Sequence, residues 1–302
     1  MRRIALLSIV GVAALGLSLA VLPGCGGGEE APPSPTPSPS SETETSTGAE
    51  AGKQQAAPEE TKEDGAEGAV AEGWGTIKGR VVYKGDPPEP RVLVEQGAPE
   101  EKVRDAKVCA QHTIYSEELV VDKETKGIQW AVVWVNRPPK IHPDLENPPA
   151  EPVELNQIGC RYIPHVLAMR QGQKLIVASE DPIAHNTNIQ GFRNSPWNRI
   201  LPAAEEGKQT LEGPSLVYES TPLPVACNIH PWMKAYIAVF RHPYFAVTNE
   251  KGEFVIEKVP AGTVRVASWQ ESIGRGPGGR QGIEVEVKPG ETVEITIEFE
   301  PK

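Results

Sequence analysis

Cys227-Asn228-Ile229-His230-Pro231-Trp232-Met233 decides how this chain is read. A thiol, an imidazole and a thioether fall within seven residues. A second imidazole stands upstream in Asp181-Pro182-Ile183-Ala184-His185-Asn186. Two histidine nitrogens, one cysteine sulfur and a weak, long methionine contact form the ligand set of a blue-copper electron-transfer site. Thiolate and thioether favour Cu(I), whereas imidazole suits copper in general. Three of the four ligands would share one tight loop. The fourth must come from another part of the chain, which ties the loop to the body of the domain. Two other readings of the stretch remain open. Cys227 could be a buried apolar thiol with His230 and Met233 in an ordinary loop. The cluster could instead hold zinc, although methionine is a poor zinc ligand.

Short strand-like runs surround this loop: 76–83, 128–135, 153–155, 166–169, 174–179, 215–218, 235–240, 252–257, 263–268, 282–287 and 292–299. Many short strands punctuated by Gly and Pro indicate sandwiches or barrels. The 30 prolines argue against long helices. One helix is expected, over 98–108. Asn249 and Gly252 mark a hairpin turn between two strands.

The loop carries a resemblance. Cys227-x2-His230-Pro231-x-Met233, followed by Lys234 and a strand over 236–240, resembles the ligand loop of amicyanin and the plastocyanin family of cupredoxins. The upstream His185-Asn186 pair matches as well. The likeness spans roughly 158–240. It implies a type 1 copper ion held by Cys227, His185 and His230, with Met233 as the axial contact. It implies that Asn186 ties the His185 strand to the loop, and that Pro231 fixes the backbone beside the ligands. It further implies that Trp232 lies near an exposed edge of His230. There it either helps to dock a redox partner or simply packs under the loop. Residues 243–302, with the opening stretch 75–83, resemble the carboxypeptidase regulatory-like (transthyretin-like) β-sandwich. The expected fold class is therefore all-β: a Greek-key cupredoxin-like sandwich plus a smaller transthyretin-like sandwich. The copper region is expected over 147–242. Residues 73–146 form an N-terminal β region that could pack with either sandwich.

The N-terminal residues read differently. Arg2 and Arg3 precede an apolar run over 4–21, then Leu22-Pro23-Gly24-Cys25. This is the pattern of a secretory signal over 1–24. The cysteine after the cut resembles the bacterial lipoprotein signal, in which Cys25 is acylated. A membrane-spanning anchor is the other reading of the run. Residues 25–72 are rich in Pro, Ser, Thr, Glu, Gly and Ala and read as a disordered tether. The implied location is exported, periplasmic or outer-surface, with the folded part held at a membrane.

The formal net charge of −11 and the lack of a basic stripe argue against nucleic acid as a partner. The four cysteines are Cys25, Cys109, Cys160 and Cys227. An oxidising compartment favours a Cys109–Cys160 disulfide, while Cys109-x2-His112 and Cys160-x4-His165 could instead hold a second metal. No nucleophile elbow, P-loop or dinucleotide fingerprint is present. The leading functional expectation is thus a tethered copper protein that passes single electrons to a redox protein and performs no bond chemistry. The alternative is a cell-surface binding or adhesion module, for carbohydrate or protein, with a vestigial metal loop.

Overall fold

The computed structural model describes residues 72–301. The expected signal segment, Cys25 and nearly all of the tether lie outside them. The described chain is almost entirely β structure, in two sandwiches stacked face to face.

The first sandwich contains the region around the ligand loop. One sheet has four strands, in the order Gln209–Glu212, Leu175–Ser179, Val153–Gln157 and Tyr162–Ile163. The other has five, in the order Trp197–Leu201, His185–Ile189, Leu223–Ala226, Lys234–Phe240 and Val166–Arg170. Leu155, Leu175 and Val177 from one sheet meet Ile189, Val225, Ile237 and Met169 from the other in a single core.

The second sandwich draws on both ends of the described chain. Trp74–Tyr83 lies between Glu253–Pro260, antiparallel, and Thr292–Phe299, parallel. Val132–Val135 lies between Phe245–Val247 and Gly262–Gln270, and Gly262–Gln270 also pairs with Ile283–Val287. Residues 73–146 therefore divide. Strands 74–83 and 132–135 build this sandwich, while Val94, Val103, Ala106, Cys109 and Ile114 join the core of the first.

Alternation along the strands explains the stacking. In Lys234–Phe240, Ala235, Ile237 and Val239 face the first core, while Tyr236, Ala238 and Phe240 face outward. In Val132–Val135, Val133 and Val135 face the second core, while Val132 and Trp134 face outward. The two outward faces meet, together with Val166, Ala267 and Trp269. Both strands are thus buried on both sides, which is why they read as continuous apolar runs rather than alternating ones. Each fully buried aliphatic side chain in these three clusters contributes roughly 1.5–3 kcal/mol.

Three local expectations are corrected. The helix over 98–108 is confined to Ala106–Cys109, with hydrogen-bonded turns before it. No strand forms over 215–218; instead Asn194 bonds both Val217 N and Val217 O and holds that segment irregular. The run 128–135 is broken at Trp130, whose φ of 66° cannot continue a strand.

Candidate metal centre

His185 opens the strand His185–Ile189, and His185, Thr187 and Ile189 turn into the core. Cys227 follows the neighbouring strand Leu223–Ala226 directly. The loop from Cys227 is closed by its own backbone: Met233 N donates to His230 O at 2.9 Å, and Cys227 N donates to Met233 O at 3.2 Å. This places His230 back over Cys227. One donor atom from each of His185, Cys227 and His230 lies within 4.8 Å of the others, and all three residues are buried. Met233 is also buried, in the core of this sandwich.

The hydrogen-bond partners fix how the rings present themselves. His185 Nε2 lies 2.8 Å from Asp181 Oδ2, and His230 Nε2 lies 2.9 Å from Asp105 Oδ2. A carboxylate only accepts, so each Nε2 carries the hydrogen. In the neutral tautomers both Nδ1 atoms are then lone pairs. They face each other at 2.9 Å, with the Cys227 sulfur 3.9 Å from His230 Nδ1. Three electron pairs converging on one buried point call for a cation, either a shared proton or a metal.

The charge balance agrees. Burial alone would raise the Cys227 thiol, but when the shared proton sits on an Nδ1, hydrogen bonds from His185 and His230, with the backbone N–H of Asn186, hold its pKa at about 5. Burial lowers the His185 pKa, yet the hydrogen bonds to Asp181 and Cys227 outweigh it and the pKa is raised. For Asp181, burial is outweighed by hydrogen bonds from His185, Cys160 N and Gly159 N, and its pKa is lowered.

The donor set fits a tetrahedral metal. Bonds of about 2.0 Å to imidazole and about 2.3 Å to thiolate place two nitrogens roughly 3.3 Å apart, and nitrogen and sulfur roughly 3.6 Å apart. The observed separations of 2.9 and 3.9 Å need shifts of only a few tenths of an ångström.

Asn186 ties the two ligand-bearing stretches together. Its Oδ1 accepts from Asn228 N at 2.7 Å and lies 3.5 Å from Cys227 Sγ. Its Nδ2 donates to Asn198 Oδ1 at 2.8 Å. Pro231 is exposed at the tip of the loop. Cys109 and Cys160 are joined by a disulfide, so the Cys160 sulfur is not a metal donor although it lies in a group with Asp181 and His185. The only free cysteine among the described residues is Cys227.

One expectation about the site is corrected. The ring edge of His230 is not exposed: the residue is 0% accessible, with Asp105 on its Nε2 and the Trp232 ring against it. Trp232 packs under the loop, with its ring centre 5.2 Å from that of His230 and its Nε1 donating to Cys160 O.

Sequence reasoning missed Asp181, Asp105 and Tyr162. Asp181 was visible four residues before His185. Tyr162 is fully buried and donates to Asn186 O at 2.7 Å beneath the site. Nothing local to residue 105 marks it.

Fold and site together define an all-β protein with a buried Cys-His-His cluster at one end of a two-sheet sandwich. No protein-family model matches the chain, and no curated protein does. Among solved structures, a proline-to-glycine variant of amicyanin in its reduced Cu(I) form at pH 4 aligns over 32% of this chain and 93% of its own, at 15% identity and TM-score 0.25. A Cu-containing nitrite reductase (NirK) from Thermus scotoductus SA-01 aligns over 33% of this chain and 27% of its own, at 21% identity and TM-score 0.25.

Proposed function

We propose that this protein holds one copper ion between His185, Cys227 and His230, with Met233 as the axial ligand, and carries single electrons between redox proteins. The observation that carries the reading is the convergence of the three donor atoms within 4.8 Å, each imidazole held at its far nitrogen by a carboxylate. Copper bound there would supply a one-electron couple. The chain's own part is to present a thiolate at neutral pH, to fix both imidazole tautomers, and to keep water out. Outer partners of this kind orient ligands and tune a metal.

Burial supports a carrier rather than an enzyme. His185 and His230 are fully buried, Met233 is 1% exposed and Cys227 2% exposed. A copper ion held by donors this deeply buried would be screened from a substrate. The methionine and the single thiolate favour copper over zinc. The Cys109–Cys160 disulfide supports an oxidising compartment. That agrees with an exported protein anchored to a membrane through a lipid on Cys25.

The test is an optical and electron-spin spectrum of the full chain loaded with Cu(II). An intense thiolate-to-copper absorption, one copper per chain and its loss in Cys227→Ser are expected. A colourless Cu(II) form would end the proposal.

A further inference from the structure

His230 sits on a surface loop between exposed Asn228 and exposed Pro231, yet its ring is shut away from solvent. The loop does not do this by itself. Residues 92–115 reach it through Asp105, and their Val94, Val103, Ala106, Cys109, Ala110 and Ile114 pack into the same core as Cys227 and Met233.

Three features make this contact a specific device rather than casual packing. The first is Asp105. It occupies the N-cap position of the turn Ala106–Cys109, where an Asp side chain ordinarily accepts from the first backbone N–H groups. Here it makes no cap bond, and its backbone is left-handed at φ 55°. The second is Glu100, which takes over the capping: its carboxylate oxygens accept from Ala106 N at 3.2 Å and Lys107 N at 3.4 Å. The Asp105 carboxylate is thereby released to reach His230 Nε2, 125 positions away in sequence. The third is the disulfide. Cys109, the last residue of the turn, is bonded to Cys160. The N–H of Cys160 donates at 2.8 Å to Asp181 Oδ2, the same oxygen that holds His185. The contacts form a closed ring: His230, Asp105, the short helix, Cys109, Cys160, Asp181, His185.

We propose that residues 92–115 are a covalently pinned cover over the metal centre, with Asp105 as the positioning residue that locks the His230 ring and shuts its edge against solvent and partner proteins. Electrons then exchange slowly across that edge. The electron-transfer part rests on the copper reading above; the closure of the ring does not.

The experiment separates the two. In the metal-free full chain, hydrogen exchange of the His230 Nε2–H is followed by NMR for wild type, Asp105→Ala, Asp105→Asn and Cys109→Ser/Cys160→Ser. Wild type should exchange slowly. Asp105→Ala should exchange ~10-fold faster or more, the worth of one hydrogen bond to a charged group, and the double serine variant should also exchange faster than wild type. Asp105→Asn keeps an acceptor oxygen and should stay near wild type. If the double variant does not fold, Asp105→Ala with its Asn rescue carries the test alone. Exchange at wild-type rate in Asp105→Ala overturns the cover.

The copper-loaded chains then give electron self-exchange rates. Asp105→Ala should exchange about tenfold faster than wild type or more, within the one to three decades over which encounter rates vary among mutants of one interface. An unchanged rate, with the ring proton freed, overturns the electron-port claim. A wild-type chain that takes up no copper while its ring proton is protected sinks the copper reading and leaves the cover standing.

Discussion

His185 Nδ1 and His230 Nδ1 stand 2.9 Å apart although 45 positions separate them in sequence. One ring comes from a strand and the other from a loop beyond the neighbouring strand. With both Nε2 atoms committed to aspartates, the folded chain holds two imidazole nitrogens and a sulfur against each other, with a proton shared among them when no metal is bound. A bound cation relieves this, and an unfolded chain gains far less from it. Saturating copper should therefore stabilise the fold. At a free concentration 1,000-fold above Kd the gain is about 4 kcal/mol. For a folded region of this size that corresponds to a rise in Tm on the order of 10 °C. Thermal scans of wild type with and without copper check it, and Cys227→Ser should lose most of the shift. Equal midpoints with and without metal would count against a preorganised site.

Asn186 is the joint between the two ligand-bearing stretches. Asn186→Ala removes the acceptor for Asn228 N and the donor to Asn198. Asn228 is exposed, so water replaces part of what is lost and the cost should be about 1 kcal/mol. Because the same side chain steadies the loop that carries Cys227 and His230, copper affinity should fall by roughly 10–100-fold. Urea unfolding reads the first effect, and titration against a copper chelator reads the second. Wild-type affinity in the variant would make Asn186 an ordinary packing residue.

The parts of this site that were legible in sequence share one property: their chemistry is crowded into a few adjacent residues. Cys227, His230 and Met233 lie in seven positions, and Asn186 directly follows its histidine. Asp105 was not legible, because its role depends on where a disulfide-tied segment folds back, and Glu100 had to relieve it of the capping role. The strands show the same split. Apolar runs such as Lys234–Phe240 were readable. His185–Ile189, with its sequence His-Asn-Thr-Asn-Ile, was not, since Asn is depleted in strands. That segment is a strand because it is held on both sides by Trp197–Leu201 and Leu223–Ala226. Tertiary pairing overrode a weak local preference.

The joining of the two ends of the second sandwich can be tested at one glycine. Gly252 closes the turn between Phe245–Val247 and Glu253–Pro260 at φ 74°. Its carbonyl accepts from Val81 N at 2.8 Å, which links this turn to the first strand; the two strands it joins lie in different sheets, so the turn is not the hairpin the sequence suggests. A methyl group there would run into the Val81 carbonyl and the backbone of Gly127 and Ile128. Gly252→Ala should therefore cost more than the roughly 1–2 kcal/mol of an L-residue in the left-handed region, on the order of 3 kcal/mol. Gly97→Ala is the control: its φ of 75° is similar, but the added methyl meets nothing within 4 Å. Similar losses in the two variants, measured by urea unfolding, would show that conformation alone and not this close approach sets the cost.

His242 gives the fold an acid limit that does not involve the metal ligands. Burial holds its pKa down, to about 4, and the nearby Arg170 guanidinium adds to the effect. Its Nδ1 accepts from Tyr244 N at 3.3 Å, a bond that only the unprotonated nitrogen can make. An unfolded histidine titrates near ~6.5. Between about pH 6.5 and pH 4 the unfolded chain therefore binds the extra proton and the folded chain does not, so stability falls as pH falls through that window. Above it the residue is neutral in both states and contributes no pH dependence. The loss should be about 3 kcal/mol across the window. In His242→Gln, which cannot take up a proton, the slope of unfolding free energy between pH 6.5 and 4 should be shallower than in wild type by that amount. Parallel pH profiles for the two proteins in urea unfolding would show that His242 is protonated as readily in the folded chain as in the unfolded one.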